Sequence, residues 1–183
     1  SAEAIHLITE ATRLGYADRN KYVADVSDVP IDKMLDKEYL KQRSALINLK
    51  KSMSKVEAGE FADVKTSYKI DKKAVELPST THLSVVDSEG NAVAMTSSIE
   101  YYFGSVLNVD GFVLNNQLTD FSFVPEIDGK PVANSLEPGK QPRSSMSPTF
   151  VFDENNNLIM VVGSPGGPRI IQFVLKAIIA YLD

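Results

Sequence analysis

The sequence predicts an α+β fold, with helices at both ends and strands between them. Three observations carry that reading. Residues 2–51 repeat small and apolar side chains at helical spacing. The stretch after Thr80 alternates apolar and polar residues in two hairpin-like pairs. A glycine-rich turn, Gly163-Ser164-Pro165-Gly166-Gly167-Pro168, then leads into an apolar run.

The first zone, Ala2 to Lys51, reads as helical. Ala4, Ile8, Ala11 and Gly15 recur on one face and would let a neighbouring element approach closely. Pro30 marks a break, and Asp36 is placed to cap a second helix running through Tyr39, Leu40, Ala45, Leu46 and Ile47. The second zone, residues 52–79, is polar and carries Lys55, Lys65, Lys69, Lys72 and Lys73 without lasting periodicity. It reads as an extended linker, with Pro78 holding its neighbour out of the helical region. In the third zone, residues 80–183, Thr81 to Asp87 alternates with Leu83 and Val85 on one face. Ser88-Glu89-Gly90-Asn91 is a turn, and Ala92 to Ser97 returns as the partner strand. Gly111 to Asn115 reads as a further strand. Ser147–Phe152 and Leu158–Gly163 form a second hairpin about Asp153–Asn157. The closing helix carries Ile170, Ile171, Val174, Leu175, Ile178, Ile179 and Leu182.

Composition excludes several classes of function. With 183 residues, 43% hydrophobic and 23% charged, the chain has the balance of a globular domain. A net charge of -5 offers no basic field for a nucleic acid. There is no cysteine, so disulfides, a thiol nucleophile and thiolate metal ligation are out. His6 and His82 stand far apart without carboxylates at ligand spacing, so no metal site is expected, and no cofactor. No apolar run approaches the roughly twenty residues that span a bilayer, and the N-terminus has no signal-peptide pattern. The chain opens within one helical pattern and closes at Asp183 within another, so a fragment of a longer protein is expected.

Three motifs can carry chemistry. Pro78-Ser79-Thr80-Thr81-His82 sits where the linker meets the first strand. A hydroxyl there can attack its own preceding carbonyl. An N→O acyl shift gives an ester, and water then releases a new N-terminal threonine. Its free α-amine, with a pKa of about 7.7–8.0 in model compounds, can serve as the base for its own hydroxyl. The plainer alternative is a Ser/Thr-rich strand entry. Ser144-Ser145 precedes a strand and can grip a carboxylate, or can simply bond its own backbone in a turn. The Gly163–Pro168 turn lies between a strand and a helix. Its amides can form an oxyanion hole, or the turn can be no more than a tight connection. Glu100, Gln117 and Asp120 can receive an ammonium, or can be solvated surface groups.

Taken together, the order of these motifs resembles the γ-glutamyltransferases. The order runs Thr80-Thr81-His82-Leu83-Ser84-Val85-Val86-Asp87, Gly90-Asn91-Ala92-Val93-Ala94, Phe103-Gly104, Leu114-Asn115-Asn116-Gln117, Ser144-Ser145-Met146-Ser147-Pro148-Thr149 and Gly163–Gly167. The resemblance covers Thr80 to the end and extends more weakly upstream, through Ala17-Asp18-Arg19 and the Lys37–Tyr39 region. It implies the N-terminal-nucleophile hydrolase αββα sandwich, here truncated. It also implies self-cleavage between Ser79 and Thr80. Residues 1–51 would be the helical end of the large subunit, 52–79 its tail, and 80–183 the start of the small, catalytic subunit.

The resemblance likewise implies roles. Thr80 is the nucleophile, Ser98 supports its hydroxyl, and Thr96 positions it or aids self-cleavage. Gly166 and Gly167 form the oxyanion hole. Ser144 and Ser145 bind the α-carboxylate of a γ-glutamyl group, and Glu100, Gln117 and Asp120 bind its α-ammonium. The substrates implied are glutathione or a related γ-glutamyl donor, with water, an amino acid or a peptide as acceptor. The implied partners are the rest of both subunits and, for the isolated chain, a second copy. The implied location is periplasmic or secreted. Glu100 stands where many relatives carry asparagine, and Arg143 where leucine is usual. A poly-γ-glutamate depolymerase and a cephalosporin acylase share the nucleophile and glycine pair. A non-catalytic anion-binding module is the reading outside enzymes, which has no chemical need for all three motifs.

Overall fold

The computed structural model describes residues 1–62, 64, 67–73 and 79–182. Lys65, Pro78 and Asp183, which entered the linker and final-helix readings, lie outside the described residues. The chain divides into two compact units, one of Ser1–Lys73 with Ser122–Arg143, the other of Ala74–Phe121 with Ser144–Asp183. The cut differs from the three zones of the sequence, because residues 122–143 group with the N-terminal part.

In the first unit, α1 (Ala2–Tyr22) is capped by the Ser1 hydroxyl, which accepts the Ala4 amide at 3.2 Å. Of the expected packing face, Ala4 and Ile8 are half-buried, whereas Ala11 and Gly15 are exposed. The buried stripe runs Glu10, Leu14, Asp18, Tyr22, every fourth residue. Two of its members are carboxylates, which a hydrophobic count cannot detect.

Each carboxylate is buried because its lone pairs are filled. Glu10 accepts the Met53 amide at 2.7 Å and Arg13 at 2.8 Å. The Met53 N–H, then Arg13, hold its pKa below the usual carboxylate range. Asp18 accepts the Tyr39 hydroxyl and the Gly59 amide, both at 2.7 Å, and Arg43 at 3.1 Å. Burial, then the hydrogen bond to Asp18, pushes the Tyr39 hydroxyl pKa up.

A short helix, α2 (Ile31–Met34), follows Pro30. The helix α3 (Lys37–Ser44) starts at Asp36, whose carboxylate accepts the Glu38 and Tyr39 amides at 3.0 Å. It was expected to run through Ile47 but stops at Ser44. The Leu46 and Ile47 amides bond three residues back, to Arg43 and Ser44, which tightens and ends the last turn.

The described part of the linker forms neither helix nor long strand, yet two of its residues, Phe61 and Tyr68, are buried. Phe61 and Tyr68 join Tyr22 and Ala133 in the core of this unit, with Tyr39 against them. The Phe61 ring lies 5.1 Å from Tyr22 and 4.8 Å from Tyr39. Two isolated aromatics in a lysine-rich stretch anchor it to this core. The strands β5 (Glu126–Ile127) and β6 (Lys130–Pro131) close a hairpin about Asp128-Gly129, both at positive φ. That Asp-Gly pair is a strong hairpin signal that the sequence reading passed over.

In the second unit, β1 (Thr81–Val86) pairs antiparallel with β2 (Ala92–Ser97), Thr81 opposite Ser97 and Val86 opposite Ala92. Asp87 makes the turn. Its Oδ1 accepts the Glu89 amide at 2.9 Å and the Asn91 amide at 2.8 Å, and its Oδ2 takes the Asn91 side chain at 2.8 Å. These bonds, Asn91 foremost, hold its pKa low. Asp153 and Asn157 repeat the device between β7 (Thr149–Phe152) and β8 (Leu158–Val162). Leu83, Val85, Val93 and Met95 share one face of the first hairpin and remain about half exposed.

The strand expected over Gly111–Asn115 reduces to β4 (Phe112–Val113), paired with β3 (Asn108–Val109). Gly111 is a turn residue with φ +86, as is Asp110 with φ +51. A 3₁₀ turn spans Gln117–Asp120, and another, Gly167–Arg169, opens α4 (Ile170–Leu182). Ile170 and Val174 of α4 are buried, and the helix lies against β8. Helices and antiparallel hairpins together make the α+β class read from the sequence. None of the described helices is long and apolar enough to cross a membrane.

Phe61→Ala is expected to lower the unfolding free energy by about 3 kcal/mol, read by chemical denaturation. An unchanged midpoint would mean the linker is not part of the core. Glu10 has a folded pKa below its unfolded value, so its contribution is complete above about pH 4.3 and fades as pH falls through the folded value. Glu10→Gln is therefore expected to flatten the acid limb of a stability–pH curve relative to the parent.

Candidate active site

The pairing of β1 with β2 builds the site. Side chains alternate along a strand, so Thr80, just before β1, shares a face with His82 and Ser84. Ser98, just after β2, shares a face with Thr96 and Ala94. This face is half-buried where the opposite one carries the exposed Leu83 and Met95.

The Thr80 hydroxyl donates to the carbonyl oxygen of Ser79. The same hydroxyl oxygen is therefore held beside the peptide carbon it would attack, through a five-membered ring. Thr80 opens into a cavity of about 640 Å³ whose walls include Ser79, Ser98, Tyr101, Gly166 and Phe173. Thr80, Ser98 and Gly166, chosen from sequence, thus meet at one place. The Ser98 hydroxyl accepts the Glu100 amide at 3.0 Å, and among the described residues it makes no hydrogen bond to Thr80.

Gly166 has φ +135, and a Cβ there would stand 2.8 Å from the Phe173 ring. Gly167, with φ +56, begins the 3₁₀ turn. Neither amide meets an acceptor among the described residues. Gly166 is in the cavity wall and Gly167 is not.

The other candidates fall into two groups outside that wall. The Gln117 side chain donates to Asp120 at 2.5 Å. Their turn is tied to the Glu100 loop by Asn116, whose Oδ1 accepts the Tyr101 amide at 2.9 Å and whose own amide donates to Ile99 at 3.2 Å. Glu100 itself is 4% exposed and has φ +72. The fold thus brings together the three groups named for an ammonium. In the serine pair, Ser144 is exposed and its hydroxyl accepts the Met146 amide at 3.1 Å, while Ser145 is buried. Arg143 reaches the Asn20 carbonyl at 3.3 Å within the first unit.

Among the described residues Thr96 makes no hydrogen bond to Thr80. Its hydroxyl hydrogen-bonds Nδ1 of His82 at 2.8 Å, and Nε2 of His82 hydrogen-bonds Ser84 at 3.0 Å. The sequence reading weighed His82 only as a metal ligand. Its spacing of two from Thr80 was the signal that it shares the site's face. Tyr101 and Phe173 were likewise missed as walls, because an apolar residue near a loop carries no chemical mark. Among the described residues no group of three or more His, Asp or Glu could hold a metal ion.

These features define a class: an α+β protein with a threonine hydroxyl at the mouth of a strand and a glycine turn in the same cavity wall. The family model described as Gamma-glutamyltranspeptidase matches residues 1–183, and the chain belongs to that family. It is 38% identical over 196 residues to the glutathione hydrolase proenzyme of Bacillus subtilis, covering 100% of this chain and 32% of the relative. It is 32% identical over 190 residues to the Acylase ACY 1 proenzyme of a Pseudomonas species, covering 100% of this chain and 30% of the relative. Among solved structures, a threonine-to-alanine mutant of Helicobacter pylori γ-glutamyltranspeptidase has 47% identity and a TM-score of 0.49, over 56% of this chain and 60% of that one. The chain spans about a third of the length of the curated relatives it matches.

Gly166→Ala is expected to cost about 1–3 kcal/mol of stability through its backbone strain, measured by thermal or chemical unfolding. Adding Phe173→Ala should recover only the steric part. Full recovery by the second substitution would show that the φ of Gly166 carries no constraint.

Proposed function

We propose that the parent of this chain is a self-cleaving γ-glutamyltransferase and glutathione hydrolase, with Thr80 as its nucleophile. The observation that carries the reading is the Thr80 hydroxyl on the Ser79 carbonyl, in a cavity shared with Ser98 and Gly166. Attack by the hydroxyl oxygen on the Ser79 carbonyl carbon forms the C–O bond. Loss of the Thr80 nitrogen, which takes up a proton, leaves an ester. Water cleaves that ester and frees the Thr80 α-amine. Residues 1–51 and 52–79 then belong to the large subunit and 80–183 to the small one.

In turnover the same hydroxyl attacks the γ-carbonyl of a donor such as glutathione. The freed amine takes its proton and passes it to the leaving amine. The amides of Gly166 and Gly167 receive the oxyanion. Ser98 and Thr96 position the nucleophile. Ser144 and Ser145 hold the α-carboxylate with hydroxyl donors, and Glu100, Gln117 and Asp120 hold the α-ammonium with acceptors. Water, an amino acid or a peptide amine then resolves the acyl-enzyme. The remaining parts of both subunits are the partners of the exposed strands, and in the isolated chain a second copy takes their place. The location is periplasmic or secreted.

The acylase relative favours a second reading, in which the same nucleophile handles a different acyl group. The acceptor cluster of Glu100, Gln117 and Asp120 supports the amino-acid-like donor over it, because an acyl group without an ammonium gives that cluster nothing to bind.

The intact mass of the full-length precursor, beside its Thr80→Ala variant, tests the proposal. The expected result is two fragments meeting between Ser79 and Thr80 in the parent, and one uncut, inactive chain in the variant. A cut or active alanine variant would overturn it.

A further inference from the structure

His82 is not used by the mechanism above, yet it sits at the centre of the site's face. Its two ring nitrogens are both engaged, Nδ1 with Thr96 at 2.8 Å across the hairpin and Nε2 with Ser84 at 3.0 Å along its own strand. A hydroxyl can donate or accept, so this pair of bonds holds the ring in one orientation in either tautomer. The Thr80 hydroxyl bonds the Ser79 carbonyl rather than the ring.

The flat side of the ring does something else. A Cβ at Gly163 would clash with Cε1 and Nδ1 of the imidazole, so the ring is packed directly against the Gly163 backbone. Gly163 is the residue after β8 and the first of the turn that carries Gly166. Only Ser164 and Pro165 stand between them, and Pro165 has its φ fixed by its own ring. A displacement at Gly163 is therefore passed along a short, stiff path to the Gly166 amide.

We infer that His82 is a positioning residue: its imidazole, pinned by Thr96 and Ser84, is the platform that sets the glycine turn at the right distance from Thr80. The inference rests on the reading of Thr80 as nucleophile and of the Gly166 and Gly167 amides as oxyanion donors. It gives Thr96 an indirect role, as the anchor of the ring. It also explains why position 163 is glycine, since any side chain would displace the platform.

The test is a double-substitution cycle in the full-length precursor, with His82→Ala, Gly163→Ala and the two combined. Readouts are the rate of cleavage before Thr80, then kcat and KM for glutathione hydrolysis, with thermal melting to confirm a folded chain. Misplaced oxyanion donors act on the transition state, so each single variant is expected to lose about a hundredfold in kcat with KM held within about threefold. The alanine methyl at position 163 has room once the ring is gone, so the combined variant is expected to be no worse than His82→Ala alone. His82→Asn, which keeps a hydrogen-bonding group near Thr96 but no flat ring, is expected to be as slow as His82→Ala, and it replaces that variant in the cycle if His82→Ala does not fold.

A folded His82 variant with kcat within about twofold of the parent, or losses that multiply in the combined variant, would overturn the inference. A rise in KM without a fall in kcat would overturn it too, because that is loss of substrate binding. Thr80→Ala run in parallel separates the two claims. If that variant still cleaves and turns over, the reading of the nucleophile has failed. If it is dead while His82 and Gly163 prove independent, only the positioning claim has failed.

Discussion

The register of β1 on β2 is the constraint on which the site depends. Strand side chains alternate with a period of two, so a slip by one residue would turn Thr80 and His82 to the opposite face and bring Leu83 in their place. Several features fix the register. The Asp87–Asn91 turn sets the closing end, where one carboxylate takes two amides and a side-chain amide. The His82–Thr96 bond joins residues that stand directly opposite each other. The opposite face adds the cross-strand pairs Leu83–Met95 and Val85–Val93, whose apolar contacts suit the same alignment. Once this register holds, Thr80 lies beside Ser98, and the glycine turn after β8 completes the cavity.

The first unit follows a different logic. Its core is small, and its centre is polar: Asp18 gathers Tyr39 and Arg43 from α3 and Gly59 from the linker. Such a carboxylate is stable only with its acceptors filled, and removing one partner would leave a buried charge exposed to the full cost of desolvation. The network therefore specifies how α1, α3 and the linker meet more than it adds net stability. Phe61 and Tyr68 supply the apolar contact around it.

What the sequence revealed follows from what each signal measures. The first hairpin, its turn and the final helix were legible because alternation and periodicity are local. The α1 face was misread because Ala11 and Gly15 look like packing residues, whereas the buried positions Glu10 and Asp18 look like surface ones. The contact of the linker with the core was not legible for a similar reason: lysines dominate its composition, but Phe61 and Tyr68 make that contact. In the site, Thr80, Ser98 and Gly166 were found through motifs, and the structure brings them to one cavity. Glu100, Gln117 and Asp120, named together from the resemblance, lie on loops that Asn116 ties to each other. His82 was not, because its role depends on a contact with Gly163, some eighty residues away in the chain, that no local pattern encodes.

The central claim is that Thr80 is the atom-bearing residue of the acyl transfer, and the most direct measurement is to trap the acyl group on it. The processed parent protein would be mixed with glutathione, quenched in acid within one turnover and digested for mass spectrometry. The account predicts that the peptide beginning at Thr80 gains the mass of one glutamyl group, on the threonine side chain. The same added mass on another residue, or turnover without any added mass on this peptide under conditions where hydrolysis of the ester limits the rate, would contradict it.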